Sequence, residues 1–270
     1  MKYPIFNLLL LLFLLNSNIV IAQTKEDSST ASAEELAKQL ANPVASLISV
    51  PLQNNFDFNV GPLEGFKYNL NIQPVIPISI NEKWNMISRT IIPVISQSDV
   101  TGNGNNETGL GDIVQSIFFS PKEAKNGFVW GVGPVFLLPT ATHNTLGGDK
   151  WGIGPNALVL KLQGQWTYGA LANHIWSYAG NGASDISATF FQPFITYASK
   201  SGASLTLASE NTQSWDNDIF GGFTGLYYAK VLKFGKQMMQ LGGGPKIYYG
   251  NNSLNPDWGI RVNIILLFPK

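Results

Sequence analysis

The sequence predicts an all-β protein: a closed antiparallel 12-stranded transmembrane β-barrel with a short N-terminal helix. The first observation is the stretch 66–80, FKYNLNIQPVIPISI. Its even positions run Phe, Tyr, Leu, Ile, Pro, Ile, Ile, Ile, while Lys67, Asn69, Asn71, Gln73 and Ser79 take odd ones. A period of two held this long exceeds the usual strand of about five or six residues. One apolar and one polar face suit a wall between lipid and water. The second observation is a set of chain breaks that alternate between long and tight. The third is that no apolar run beyond residue 22 is long enough for a membrane helix. A chain that enters a membrane without helices must close its sheet, because lipid cannot satisfy an open edge.

The N-terminus reads as a signal peptide over 1–22. Lys2 supplies a basic start, an apolar run covers 5–15, and Val20, Ile21 and Ala22 precede a plausible cleavage point. The run is short for a span of about 20 residues. No Cys follows, which argues against a lipid-anchored mature terminus. Residues 23–47 form a polar lead-in and one amphipathic helix. Ser32 and Glu35 have capping-box spacing, Leu36, Ala37 and Leu40 fall at helical spacing, and Pro43 ends the run. This helix is expected at the periplasmic mouth as a plug, or packed there as an N-terminal arm.

The barrel is expected over 48–270. Its strands are predicted at 48–60, 66–80, 84–98, 109–120, 127–139, 151–163, 166–178, 187–199, 203–213, 219–233, 237–249 and 257–268. Each approximates the length of a tilted membrane strand, about nine to eleven residues plus rims. The odd breaks, 61–65, 99–108, 140–150, 179–186, 211–218 and 250–256, are mostly long and rich in Gly, Asn and Asp. The even breaks, 81–83, 121–126, 164–165, 200–202 and 234–236, are mostly tight. Outer-membrane barrels sort their external loops from their periplasmic turns in this way. The seven tryptophans fall beside breaks or a few residues from strand ends, where indole rings favour the membrane interface.

Charge sets the register. A Lys or Arg facing lipid at mid-bilayer costs about 2–4 kcal/mol, so charged strand residues are expected inside. The predicted lumen-lining set is Asp57, Lys67, Asn69, Asn71, Gln73, Arg89, Lys161, Glu210, Lys230, Lys246 and Arg261. Glu210 is expected to pair with Arg89 or Arg261. In the last strand Trp258, Ile260, Val262, Ile264, Leu266 and Phe268 go outward. Turning Arg89 inward also turns Ile87, Ile91 and Ile95 inward, and Gly131 and Gly133 join them. A wall that mixes charge with aliphatic surface suits a narrow path for small, partly apolar solutes. The competing expectation is an interior filled with side chains that conducts little.

Catalytic and metal chemistry find little support. Lysines plus arginines balance aspartates plus glutamates at 17 each, so nothing points to nucleic acid. The chain holds no Cys and two His, leaving no zinc spacing and no cofactor motif. His174 and Ser177 lie on opposite faces of one strand and cannot form a dyad. Gly102 and Gly104, and the run 242–244, lead into no helix that could cradle phosphate. The loop acids and amides Asp99, Asn103, Asn105, Asn106 and Glu107 read as solvated groups.

Several strings add a family resemblance: TGLGDI at 108–113 leading into SIFFSP, GPVFLLPTAT at 133–142, GGDKWGIGP at 147–155, NHIWSYAG at 173–180, FQPFITY at 191–197 and the ending LLFPK. In order and spacing over about residues 35–270 they resemble a family of bacterial outer-membrane β-barrels called transporters. That family is grouped with the MetA-pathway phenol-degradation proteins, and some members carry the misnomer neuromedin U. The resemblance implies a Gram-negative outer-membrane location and uptake of small, partly aromatic molecules, with no catalytic residues to carry over. The expected partners are outer-membrane lipid, the solute, and the barrel-insertion machinery reading a last strand that ends at Phe268. The chain is expected to act as a monomer. Pro269 and Lys270 depart from the terminal aromatic common in such barrels.

Overall fold

The computed structural model describes residues 32–268. The expected signal peptide and the lead-in through residue 31 lie outside the described residues, as do Pro269 and Lys270. The chain forms one sheet closed on itself. Its strands are β1 (Ile48–Val60), β2 (Gly65–Ile72), β3 (Val75–Ser79), β4 (Trp84–Ser98), β5 (Asn106–Leu110), β6 (Ile113–Pro121), β7 (Phe128–Leu138), β8 (Lys150–Gln163), β9 (Trp166–Gly180), β10 (Ser187–Ala198), β11 (Ala203–Ser214), β12 (Ile219–Phe234), β13 (Gln237–Gly250) and β14 (Trp258–Phe268). Neighbours in sequence pair antiparallel around the ring, and β1 closes it against β14, from Ile48 opposite Phe268 to Phe58 opposite Trp258.

Fourteen strands make twelve staves. β2 and β3 both pair with β4, as do β5 and β6. The predicted strand over 66–80 is therefore one stave with a break at Gln73 and Pro74. Pro74 has no N–H to give the ladder. The Gln73 N–H instead reaches the Pro51 carbonyl at 2.8 Å, and the Pro74 carbonyl accepts from the Thr90 N–H at 3.1 Å. The strand expected over 109–120 begins at Asn106 and breaks at Gly111 and Asp112. There the Asp112 carboxylate accepts backbone N–H groups of Ala141 (3.1 Å) and Gly148 (2.6 Å), clamping the adjacent loop.

The outer wall is apolar. Ile76, Ile78, Val132, Val159, Leu205, Leu207, Ile260 and Val262 are all exposed. Trp130, Trp151, Trp166, Trp176 and Trp258 stand among them near strand ends. The Trp84 and Trp130 rings meet edge-on at 5.7 Å beside the tight turns. A closed barrel with an apolar belt and aromatic rims meets the requirements for crossing a bilayer. The few polar groups on this wall bond each other. Outward-facing Asn54 donates to the Leu52 and Val262 carbonyls at 3.2 Å and accepts from the Tyr68 hydroxyl at 2.8 Å.

The helix α1 spans Ala33–Leu40, with the Ser32 hydroxyl accepting the Glu35 N–H at 3.2 Å and Lys38 bridging Glu34 at 2.8 Å. Its Leu36 and Ala37 are fully buried against Ala198, Val231 and Leu267. Those three belong to the ends of β10, β12 and β14 that adjoin the tight turns or the chain terminus. The chain then crosses the opening, so that Val44 packs on the opposite wall with Ile87, Phe118, Val129 and Leu158. Gly131 matters here: a Cβ at this position would stand 3.4 Å from Val44 and 3.3 Å from Phe118. Residues 32–47 thus occupy the turn-side end of the lumen.

Candidate functional site

Inside the barrel the alternation converges polar side chains from β1, β11, β13 and β14 on one level. Arg261 of β14 points inward because Ile260 and Val262 take the lipid side. Its Nη1 and Nη2 donate to the Glu210 carboxylate at 2.7 and 3.5 Å, and its Nε donates to the Asn55 amide oxygen at 2.7 Å. Lys246 of β13 is 1% exposed and forms an ion pair with Asp57 at 2.7 Å. Lys246 also donates to Asn55 (3.2 Å) and to the Tyr248 hydroxyl (2.7 Å), which in turn donates to Asp57 at 2.8 Å. Aromatic rings close the layer. Phe223 lies 4.9 Å from the Lys246 ammonium and 5.1 Å from the Arg261 guanidinium, and Tyr227 lies 5.3 Å from the latter. Such a set survives burial because each charge has both an opposite charge and further hydrogen bonds.

This layer separates two chambers. The loop-side chamber, about 430 Å³, is bounded by Glu210, Phe223 and Tyr248 together with Phe190, Thr212 and Asn255. The turn-side chamber, about 240 Å³, has Arg261, Tyr227 and Arg89 on its wall and residues 37–47 across its end. The two faces of one ion pair thus belong to different chambers. Glu210 borders the upper space and Arg261 the lower.

The structure brings together most of the predicted luminal residues. Asp57, Glu210, Lys246 and Arg261 form the layer, and Glu210 takes Arg261 as its partner. Lys67 sits opposite Asp57 and Gln97 on adjacent staves, while Asn69 and Asn71 sit opposite Asn55 and Gln53. Gln73 is buried at the stave break, accepts from Arg89 at 2.9 Å and donates to Gln53 at 2.7 Å. Arg89 makes no ion pair among the described residues.

Two predicted residues fall on the other face. Lys161 shares the outward parity of Ile153 and Val159, while Leu158 and Leu160 beside it are buried inside. Its ammonium lies 4.1 Å from the Phe128 ring and donates to the Asn126 carbonyl at the turn. Lys230 is turned out because Tyr227 and Val231 take the inner face, Val231 against α1. Both lysines lie within four residues of a tight turn, where a long side chain can carry its charge to the interface. Charge alone misplaced them because the cost of facing lipid vanishes near the rim.

Sequence reading also missed Asn55, Tyr248, Tyr227 and Phe223. Asn55 and Asp57 share an inward parity that the alternation around Phe56 and Phe58 would have given. The aromatic residues carried no such sign, since barrels use them on both faces. Tyr227 needs Gly225 two residues earlier, because a Cβ there would collide with the Tyr227 hydroxyl.

Outside the barrel His174 does meet a serine, though from another strand. Its Nδ1 is 2.7 Å from the Thr189 hydroxyl and its Nε2 is 3.4 Å from Ser187. Trp215 donates to the same Thr189 hydroxyl at 2.8 Å. Among the described residues no carboxylate contacts this histidine, so nothing there stabilises an imidazolium as an acyl-transfer triad requires. Among the described residues no group of three or more His, Cys, Asp or Glu converges to hold a metal ion.

No protein-family profile and no curated protein sequence matches the chain. Among solved structures it is similar to an outer membrane channel from Pseudomonas putida F1, with a TM-score of 0.66 and 13% identity over 83% of this chain and 96% of that one. It also aligns with a loop-deleted form of OmpT, an outer membrane protein of Vibrio cholerae. That match has a TM-score of 0.39 and 8% identity over 82% of this chain and 98% of that one, and carries no inference. The first likeness bears on the fold alone, the closed antiparallel barrel described above.

Proposed function

We propose that this protein is an outer-membrane channel for passive, gradient-driven passage of small, partly apolar or aromatic solutes. One observation carries the reading: two luminal chambers lie on either side of a single layer of paired side chains, and the lower chamber mixes Arg89 and Gln192 with Val75, Leu171 and Phe194. A wall of that composition accepts a ring or short chain with one polar end. The Pseudomonas putida channel of like fold supports it, as does the resemblance to the MetA-pathway transporter family. On this reading the mature barrel works as a monomer in lipid, inserted through a last strand ending at Phe268, after an N-terminal signal is removed. No cofactor or energy source enters.

A second reading has its own support. Residues 36–47 and the charged layer fill much of the lumen, which suits a closed barrel whose loops serve a surface role. Proteoliposome swelling with phenol and benzyl alcohol separates the two, run beside single-channel recording in planar bilayers. Swelling by these solutes beyond that of barrel-free liposomes is expected. No conductance and no swelling, even after residues 32–46 are deleted, refutes passage and leaves the closed barrel.

A further inference from the structure

The lower chamber contains a cation that no carboxylate of the described residues contacts. Arg261 is taken by Glu210 and Lys246 by Asp57. Among the described residues Arg89 has only the Gln73 amide oxygen, at 2.9 Å. Of the basic side chains Lys67, Arg89, Lys246 and Arg261 that face the lumen, Lys246 and Arg261 sit in ion pairs among the described residues, and Arg89 does not. A second and independent observation lies on the same chamber wall. Val75, Leu171 and Phe194 on the same wall offer an apolar bed.

We infer that the lower chamber is a binding site for a small monocarboxylate with an apolar body. Arg89 is the anion anchor, and the Leu171 and Phe194 side receives the ring or chain. This rests on the channel reading only for its meaning as a transport step. As a binding site it stands alone. A guanidinium favours the planar carboxylate geometry, and the apolar bed disfavours a fully hydrated anion such as phosphate.

The test is calorimetric titration of the purified full barrel in detergent at low ionic strength. The probes are benzoate, benzamide and inorganic phosphate, and the variants are Arg89→Gln and Arg89→Lys. Circular dichroism and heat-modified gel mobility verify that each variant is folded. Benzoate is expected to bind at least about tenfold more tightly than benzamide or phosphate, to lose about tenfold or more in Arg89→Gln, and to recover partly in Arg89→Lys. Benzoate binding that is absent, matched by benzamide or unchanged in Arg89→Gln overturns the site. Phosphate binding as tight as benzoate overturns the apolar part of the assignment. Benzoate binding without solute flux removes the channel reading and leaves the site. Flux of neutral solutes without benzoate binding does the reverse.

Discussion

Glu210→Gln is the sharpest probe of the layer between the chambers. The carboxylate accepts two Arg261 bonds at 2.7 and 3.5 Å, with the two side chains 20% and 6% exposed. Glutamine keeps the shape and one acceptor but removes the charge. Breaking a buried pair by removing one partner costs about 3–5 kcal/mol, and a hydrogen bond to a charged group contributes about 1.5–3 kcal/mol. The upper chamber gives Glu210 partial access to water and Arg261 keeps its Asn55 bond. The cost is therefore placed near the low end, at about 2–3 kcal/mol. Arg261→Met should cost less than a full buried charge, because the freed Glu210 has Arg89 as an alternative cation. The double variant should recover at least about 1.5 kcal/mol relative to the sum of the singles. Equilibrium urea unfolding of the barrel in phospholipid vesicles, followed by tryptophan fluorescence, measures all three. A Glu210→Gln loss under about 0.5 kcal/mol, or strict additivity in the double variant, refutes the account of the layer as a coupled pair.

Lys161→Leu and Lys230→Leu should leave ion selectivity in a planar bilayer unaltered and shift stability by no more than about 1 kcal/mol, as expected for outer-wall residues near a rim; a changed reversal potential would put either side chain back in the lumen. In the external loop, the hydrogen bond and charge of Lys150 at 2.9 Å hold the Asp185 carboxyl below its ordinary 3.8. A depressed value means that the pair contributes above the ordinary value and is lost as pH falls through the lowered one. Amide exchange at Gly182, whose N–H bonds the Asp149 carbonyl at 3.2 Å, should lose a pH-dependent part of its protection below about pH 4, and Lys150→Met should abolish that part; an unchanged pH profile in the variant would dissociate the pair from the loop. On the outer wall, a fluorophosphonate probe should fail to label Ser187, and Ser187→Ala should match the parent protein. Labelling that His174→Ala removes would establish a working nucleophile there.

The fold was largely legible because membrane strands are written in two independent signs, the period of two and the sorted breaks. Where the sequence hid something, a local exception overrode the period. Pro74 sits at an even position among apolar residues and reads as one more member of the face, yet its missing N–H splits the stave. Gly111 and Asp112 look like the start of a strand, but Asp112 spends its carboxylate on two loop amides. Within the site, the partner of Glu210 could be narrowed from sequence to Arg89 or Arg261, because few acids had strand positions. Lys161 and Lys230 could not be placed, since the penalty that orients a charge fades over the last few residues of a strand. The partnership of Lys246 with Asp57 was hidden for another reason. It joins residues 189 positions apart, and only closure of β14 onto β1 brings their strands to either side of β14, across Gly259.

Closure also decides how the two obstructions in the lumen combine. The N-terminal segment and the charged layer lie one behind the other on the same axis, so their resistances add in series. Opening one leaves the other limiting. Deleting 32–47 removes Leu36, Val44 and Leu47 from their two walls but leaves Arg261 on Glu210. Replacing both charges of the layer leaves Leu36 and Val44 in place. If both obstructions are comparable, either change alone raises conductance modestly, by less than about twofold, and the combination raises it by well more than the product of the two. A product law would mean that the two act independently on the same rate-limiting passage. A full effect from the deletion alone would mean that the charged layer already transmits. The second outcome would fit the geometry of Arg89, which lies on the lower chamber and would then offer its charge to solute arriving through the layer from above.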